Sequence, residues 1–340
     1  MNRRIFLMSI AGAAGCSSGR RSRLNVYNWT NYVAPETIPD FEREFNVQVH
    51  YATYEGVEEM LAKVATGNSG FDVIFPTNNY ILPLREGGLL APLRHDWLSN
   101  LEQLEQRFQS PPWDPQIQWC IPYMHSTTGI IYHQSVDPAP TGWSDFWSGR
   151  FHQRSTMLDD PNEVIGACLK KLRLPLNSVD PEHLRRARTE AIDVKRMLRA
   201  YINAEVKDQL VAGDVVAAQL WATSAQLAID ASDALRFVHP AEGFAVYADN
   251  MAILQESGRY ELAHQFLNYL LRPRVSARIA LTMRTPTANA GALAFLPEAV
   301  RRNQTLYPSS NALARGEWFE PLPPEGQRLR DRIWTEIKSA

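Results

Sequence analysis

The residues best equipped for chemistry in this chain are the aromatic side chains Trp29, Tyr32, Trp221 and Tyr247 and the carboxylates Asp160, Glu163 and Asp249. Carboxylates accept charge-assisted hydrogen bonds, and aromatic faces cover methylene groups while attracting cations by about 0.5 to 2 kcal/mol each. Together they suit a flexible organic cation, with ammonium groups on the acids and hydrocarbon between the rings. Each residue also has a plainer role. Asp160-Pro161-Asn162-Glu163 matches a capping box: an acid at the N-cap, Pro at the first helical position and an acid at the third. A helix N-terminus is partially positive, so acids placed there must overcome that field to hold a cation. Trp is commonly a core aromatic, and Asp249, just before an apolar run, reads as a turn residue.

Other chemistries lack their signatures. The sequence contains no GxSxG elbow, no Walker A loop and no GxGxxG string. Asp160 and Glu163 fall on one helical turn and share a face, whereas glycosidase acids flank a scissile bond. The eight histidines are scattered without an HExxH, and the three cysteines form no CxxC, so neither a metal site nor a cofactor is expected. The net charge of -2, from 35 basic and 37 acidic residues well interspersed, argues against a nucleic-acid binder.

The elements that must position these residues alternate regularly. Leu24 to Trp29 reads as a strand, Pro35 to Phe45 as a helix with Ile38, Phe41 and Phe45 on one face, and Val47 to Tyr51 as a strand again. Val57, Met60, Leu61 and Val64 then recur at helical spacing, and the apolar run Phe71 to Phe75 reads as a third strand. This succession predicts a mostly parallel sheet flanked by helices. A second α/β region follows, with strands at Ile130 to His133, Thr156 to Leu158, Val215 to Leu220 and Arg236 to His239 and a helix at Arg185 to Tyr201. Met251 to Leu254 reads as a further strand and Tyr260 to Leu271 as a helix stopped by Pro273. In such sheets ligands collect beyond the carboxyl ends of the strands. Trp29, Thr30 and Tyr32, Thr77 to Tyr80, Asp160 with Glu163, Trp221, and Tyr247 with Asp249 all follow predicted strands, as a cleft between two lobes requires. A chain of 340 residues, 45% hydrophobic, is long enough for two such lobes.

At the N-terminus, Arg3 and Arg4 precede the apolar run Ile5 to Ala14, an export signal too short to span a bilayer. Residues 1–15 are expected to be removed. Asn2-Arg3-Arg4-Ile5-Phe6-Leu7 resembles a twin-arginine signal, with Asn2 and Met8 departing from the usual flanks. Ala13-Ala14-Gly15-Cys16 resembles a lipobox that would make Cys16 the lipidated first residue; ordinary cleavage after a small residue fits the same string. No later segment is long and apolar enough to span, so the only membrane attachment expected is a lipid anchor. Cys120 and Cys168 would then lie in a compartment that permits disulfides, and the sequence leaves their pairing open.

Several strings, in order along nearly the whole mature chain, resemble the periplasmic spermidine/putrescine-binding proteins of ABC importers. They are Tyr27-Asn28-Trp29-Thr30-Asn31-Tyr32, Gly70-Phe71-Asp72-Val73-Ile74-Phe75-Pro76, Asp159-Asp160 with Glu163, Pro240-Ala241-Glu242-Gly243, Phe266 to Pro273 and Thr305-Leu306-Tyr307-Pro308. The resemblance implies a two-lobed α/β periplasmic-binding fold of type II, each lobe a mostly parallel sheet flanked by helices, closing on ligand by a hinge. It implies one lobe from residues 23–128 and 251–306 and another from 129–250 and 307–340. It also implies that Trp29, Thr30 and Tyr32 line the cleft, that Asp160, Glu163 and Asp249 hold amines, and that Trp221 and Tyr247 are aromatic walls, with Thr77, Asn79 and Thr285 nearby. The sequence departs from the spermidine binders at Asn79 (an aromatic there), Thr285 (Tyr there) and Phe319 (a polar amide there). The expected protein is a monomeric, non-enzymatic polyamine receptor, periplasmic or lipid-anchored, that delivers to an ABC permease. A receptor for another small organic cation, or a ligand-sensing partner of a signalling protein, is the competing expectation.

Overall fold

The computed structural model describes residues 21–340, so the signal segment and Cys16 lie outside the described residues. β1 (Arg23–Trp29) inserts Leu24 and Val26 into the core, and the following helix Thr37–Phe45 packs Phe41 onto the sheet before Asn46 ends it in the left-handed region at φ 52°. β2 (Gln48–Tyr54), the helix Val57–Val64 and the short β3 (Val73–Ile74) complete a β-α-β-α-β run in which β1 lies between β2 and β3, parallel to both.

β4 is longer than the pattern predicts: Ile130–His133 is only the end of a strand that runs from Cys120 to His133. β5 (Ser155–Met157), β6 (Ala200–Tyr201), β7 (Ala217–Trp221) and β8 (Leu235–Val238) follow. The helix predicted over Arg185 to Tyr201 runs instead from Pro181 to Lys195, and its last predicted residues form β6. β9 spans Phe244–Ile253, so Tyr247 and Asp249 lie within a strand and not in a loop ahead of one. After the helix Tyr260–Leu270, Pro273 opens a second helix, Pro273–Met283, at whose first turn its missing N–H costs nothing. β10 (Gly316–Trp318) and the C-terminal helix Pro324–Ser339 end the chain.

The strand order is β2-β1-β3-β9-β4-β7-β5-β6, with β10 on β9 and β8 on β4. β5 pairs in parallel with β6 and β7, while β9 and β4 run antiparallel to their neighbours along this order. β4 divides its partners: Cys120 to Thr127 pairs with β9, and Thr128 to His133 pairs with β7 and β8. A register shift between Pro122 and Met124 accommodates the proline that a central strand otherwise rejects.

These two sheet halves bury separate apolar cores. Phe41, Phe75, Ile253 and Phe266 belong to one. Trp143, Val164 and Leu184 belong to another, beside a third around Ile131, Leu210 and Leu220. Cys120 lies in the first and Cys168 in the second, both buried and free. Among the described residues no helix is long and apolar enough to cross a membrane.

Where β4 enters the second half, Gly129 is the residue that lets β8 pair. A Cβ there would stand 2.5 Å from the Phe237 ring and 2.6 Å from the Val238 carbonyl oxygen. Gly129→Ala therefore requires the ladder to shift and should lower stability by about 1 to 3 kcal/mol, read as a lower urea midpoint with unchanged slope; an unchanged midpoint would show that β8 moves freely.

Candidate functional site

The crossing strands deliver Asp249 to the middle of the molecule. It is 4% exposed, and both carboxylate oxygens are fixed: the Tyr32 hydroxyl donates to Oδ2 at 2.5 Å and the Thr77 hydroxyl to Oδ1 at 2.8 Å. Thr77 also forms an isolated β-bridge with Asp249, which holds the segment after β3 against β9. Burial raises the Asp249 carboxyl to about 6 despite these two donors. Tyr32 is positioned in turn by Tyr123, whose hydroxyl donates to the Tyr32 carbonyl at 3.0 Å and whose ring meets that of Tyr32 edge-on at 5.9 Å.

Asp160 and Glu163 resolve the capping question in different ways. Asp160 is the N-cap of the helix Pro161–Lys171, its Oδ1 accepting from the backbone N–H groups of Asn162 at 2.8 Å and Glu163 at 3.1 Å. Glu163 does not reach back to complete the box. Its Oε1 accepts from the Thr128 hydroxyl at 2.7 Å and from the Trp221 indole N–H at 2.9 Å. Burial raises both carboxyls; the charge of Asp160 raises Glu163 further, while the backbone N–H of Glu163 acts the other way on Asp160. Neither of them, nor Asp249, forms an ion pair with Lys or Arg among the described residues.

The aromatic residues connect these centres. Tyr247 lies on β9 two positions before Asp249; burial and then the charge of Asp249 raise its phenol, with smaller contributions from Glu163 and Asp160. Its hydroxyl is thus within electrostatic reach of all three acids. Trp29 ends β1 with its indole N–H donating to the Phe75 carbonyl at 2.9 Å and its ring 4.6 Å from that of Tyr54. Trp221 ends β7, so its ring is aimed by the same N–H that holds Glu163.

The remaining predicted residues take different places. The backbone N–H of Thr30 donates to the Tyr54 carbonyl, which fixes the turn after β1. The Asn79 side-chain oxygen is buried without a hydrogen-bond partner among the described residues. Thr285 is 2% exposed and its hydroxyl is committed to Thr223 and to the Met283 carbonyl, which links the two halves of the molecule. Phe319 packs in an apolar cluster with Leu176 and Ala245, against which Tyr247 also packs.

Sequence patterns did not single out Thr128, Tyr54 or Glu58, and reached Tyr80 only as the end of the loop after the third strand. Tyr80 is perturbed upward by burial, then by Asp160 and Glu58, which brings the helix Val57–Val64 into the surroundings of Asp160. Only the position of Tyr80 after β3 offered a signal; Thr128 lies inside a strand whose first half was not read. Among the described residues no group of three His, Cys, Asp or Glu side chains is placed to hold a metal ion.

Residues 36–306 match the family described as bacterial extracellular solute-binding protein. The chain is 31% identical over 310 residues to the spermidine/putrescine-binding periplasmic protein of Salmonella typhimurium, covering 90% of this chain and 89% of that one. It is 29% identical to the putrescine/cadaverine-binding protein of Pseudomonas aeruginosa, covering 99% of both. Among solved structures, the spermidine/putrescine ABC transporter substrate-binding protein of Streptococcus pneumoniae superimposes with a TM-score of 0.83 at 27% identity, over 94% of this chain and 99% of that one. With two packed α/β halves, a two-strand crossing and this extended match, the chain belongs to the bacterial extracellular solute-binding protein family and shares the two-lobed periplasmic-binding fold of its relatives.

Proposed function

We propose that this protein captures a polyamine in the cleft between its lobes and delivers it to an ABC importer. The observation that carries the reading is the set of carboxylates, buried Asp249 and Glu163 with half-buried Asp160, that have no Lys or Arg partner among the described residues. A buried acid without a cation is costly, and a ligand bearing ammonium groups is the partner that offsets this cost. Tyr247, Trp29 and Trp221 supply faces for the intervening methylenes. The names of the relatives support the same ligand class.

The lobes in this reading are residues 23–128 with 251–306 and residues 129–250 with 307–340; two of the three crossings fall on β4 and β9, and the third between residues 306 and 307. Asp249 binds one end of the ligand; Asp160 and Glu163 bind the other; Tyr247 packs along the chain between them. Trp29, Thr30, Tyr32, Thr77, Asn79, Trp221 and Thr285 line or brace the cleft. The unpartnered Asn79 oxygen is a further acceptor for an ammonium group. Phe319, which contributes an apolar ring to the cluster beside Tyr247, supports a short diamine over a longer triamine. The protein acts as a monomer outside the cytoplasm, tethered by lipid if Cys16 is acylated, and presents its closed form to a permease without changing the ligand.

Three outcomes test this. In calorimetric titration putrescine or cadaverine should bind at micromolar or tighter Kd and more tightly than spermidine; absence of heat from all of them with folded, ligand-stripped protein would reject the polyamine assignment. Asp249→Asn should weaken diamine binding by about 2 to 5 kcal/mol without loss of folding, because it removes one charge from a buried pair; an affinity within twofold of the parent would exclude Asp249 from the site. The carboxylate and not the carboxylic acid binds the cation, so affinity should rise with pH through about 6 as Asp249 ionises and go on rising above 7 as Glu163, raised further by burial and by Asp160, does the same. One such group loses about tenfold per pH unit below its pKa. A flat profile from pH 5 to 8 would show that the acids are already ionised, contrary to their burial.

A further inference from the structure

At the opposite end of β1 from Trp29 lies a cavity of about 760 Å³ whose lining includes Arg21, Arg23, His50, Lys63 and Arg259. The parallel register of β1 on β2 places Asn25 beside His50 and Arg23 beside Gln48, while Lys63 comes from the helix Val57–Val64 and Arg259 from the start of the helix Tyr260–Leu270. The His50 ring lies parallel to the ring of Phe71, 6.2 Å away. Among the described residues no carboxylate lines the cavity, but two contact residues that do. Asp72 accepts from the Asn25 N–H and the Ser257 hydroxyl, each at 2.7 Å, and its oxygen is 3.9 Å from Arg259. Glu256 accepts from the backbone N–H groups of Ser69 at 2.8 Å and Gly70 at 3.0 Å. Arg21, Arg23 and Lys63 have no ion-pair partner among the described residues.

A concave set of guanidinium and ammonium groups in which Arg21, Arg23 and Lys63 are unpaired and Arg259 is only loosely paired is the chemistry that recognises a phosphate, with Arg forks matching its oxygens and Lys acting as a point charge. The seven residues of β1 separate this cavity from the cleft by about 20 Å, so the two sites do not share a ligand. The sequence adds a location. Cys16, the candidate lipid attachment point, stands five residues before Arg21 in the chain. Basic groups this close to a lipid attachment point are within reach of an anionic membrane surface.

We infer that this cavity binds the phosphate headgroup of an anionic phospholipid and seats the N-terminal pole of the first sheet on the membrane. The inference is independent of the polyamine reading, and its test uses protein without a lipid, so it is also separate from acylation. The chain from Ser17 onward, which retains every described residue, is sedimented with vesicles of phosphatidylglycerol and phosphatidylcholine, and with phosphatidylcholine alone, at low salt. Recovery should be at least about fivefold greater on the anionic vesicles and should be lost at high salt. The combined variant Arg23→Gln, Lys63→Gln and Arg259→Gln should lose that difference while retaining its melting temperature and its titration with putrescine. Equal recovery on both vesicle types, no recovery on either, or full recovery of the variant overturns the inference. Inorganic phosphate is titrated against the same protein without vesicles; stabilisation by phosphate with no vesicle binding would place the anion in solution and overturn the membrane assignment.

Discussion

The withdrawal of Asp249 and Glu163 from water, with Asp160 half-buried, is the constraint on which the rest of this structure depends. Each carboxyl is raised by burial, so the fold resists holding them charged unless something answers that charge. The protein supplies hydroxyls, an indole N–H and a helix N-terminus, all of which orient the acids, but among the described residues no Lys or Arg that would neutralise them. Neutral donors fix direction without cancelling charge. In the reading proposed above, that combination is what a ligand bearing ammonium groups would answer.

Holding acids from distant segments in one place requires continuous backbone between the halves. β4 and β9 provide it, antiparallel to each other, with Met124 opposite Asp249 and Ser126 opposite Tyr247. Side chains reinforce the crossing away from the acids. Arg284 pairs with Asp230 at 2.5 Å, Gln226 donates to Asp230 at 2.7 Å, and Asn303 donates to Gln226 at 2.8 Å. Arg284 and Asp230 are each more than a third exposed, so this pair contributes little stability by itself.

The sequence was most legible where periodicity was local. β1, the helix Thr37–Phe45 and the helix Val57–Val64 follow from residues that repeat on one face over a few turns, and the positions of Trp29 at the end of β1 and Thr77 after β3 follow from them. Asp249 was found by its chemistry but misplaced in a turn. Asp249-Asn250 has turn propensity, yet the Asn250 side chain accepts from the Trp113 indole at 2.9 Å and Asp249 accepts from Tyr32 and Thr77. Those distant partners spend the groups that would otherwise close a turn locally, and the strand continues. The first half of β4 was illegible for a similar reason: Pro122 argues against a central strand, and only a register shift against β9 accommodates it. Thr128 is silent in sequence because its role is a single hydrogen bond to a residue on another element.

The unequal fates of Asp160 and Glu163 explain why a capping motif and the proposed binding acids can occupy the same string. Asp160 satisfies two N–H groups of the helix it starts, so part of its charge is spent on the partial positive charge of that terminus. Glu163 has turned away from that role. Trp221 and Thr128 hold one of its oxygens, and both come from strands of the second half, so its direction is set by the sheet and not by its own helix. Had both acids served the cap, the site would keep its negative charge but lose its aim. Because one caps and the other is braced by an aromatic wall, the helix end is stabilised and a second carboxylate is held beside it, where its charge raises the cost of leaving the pair unanswered.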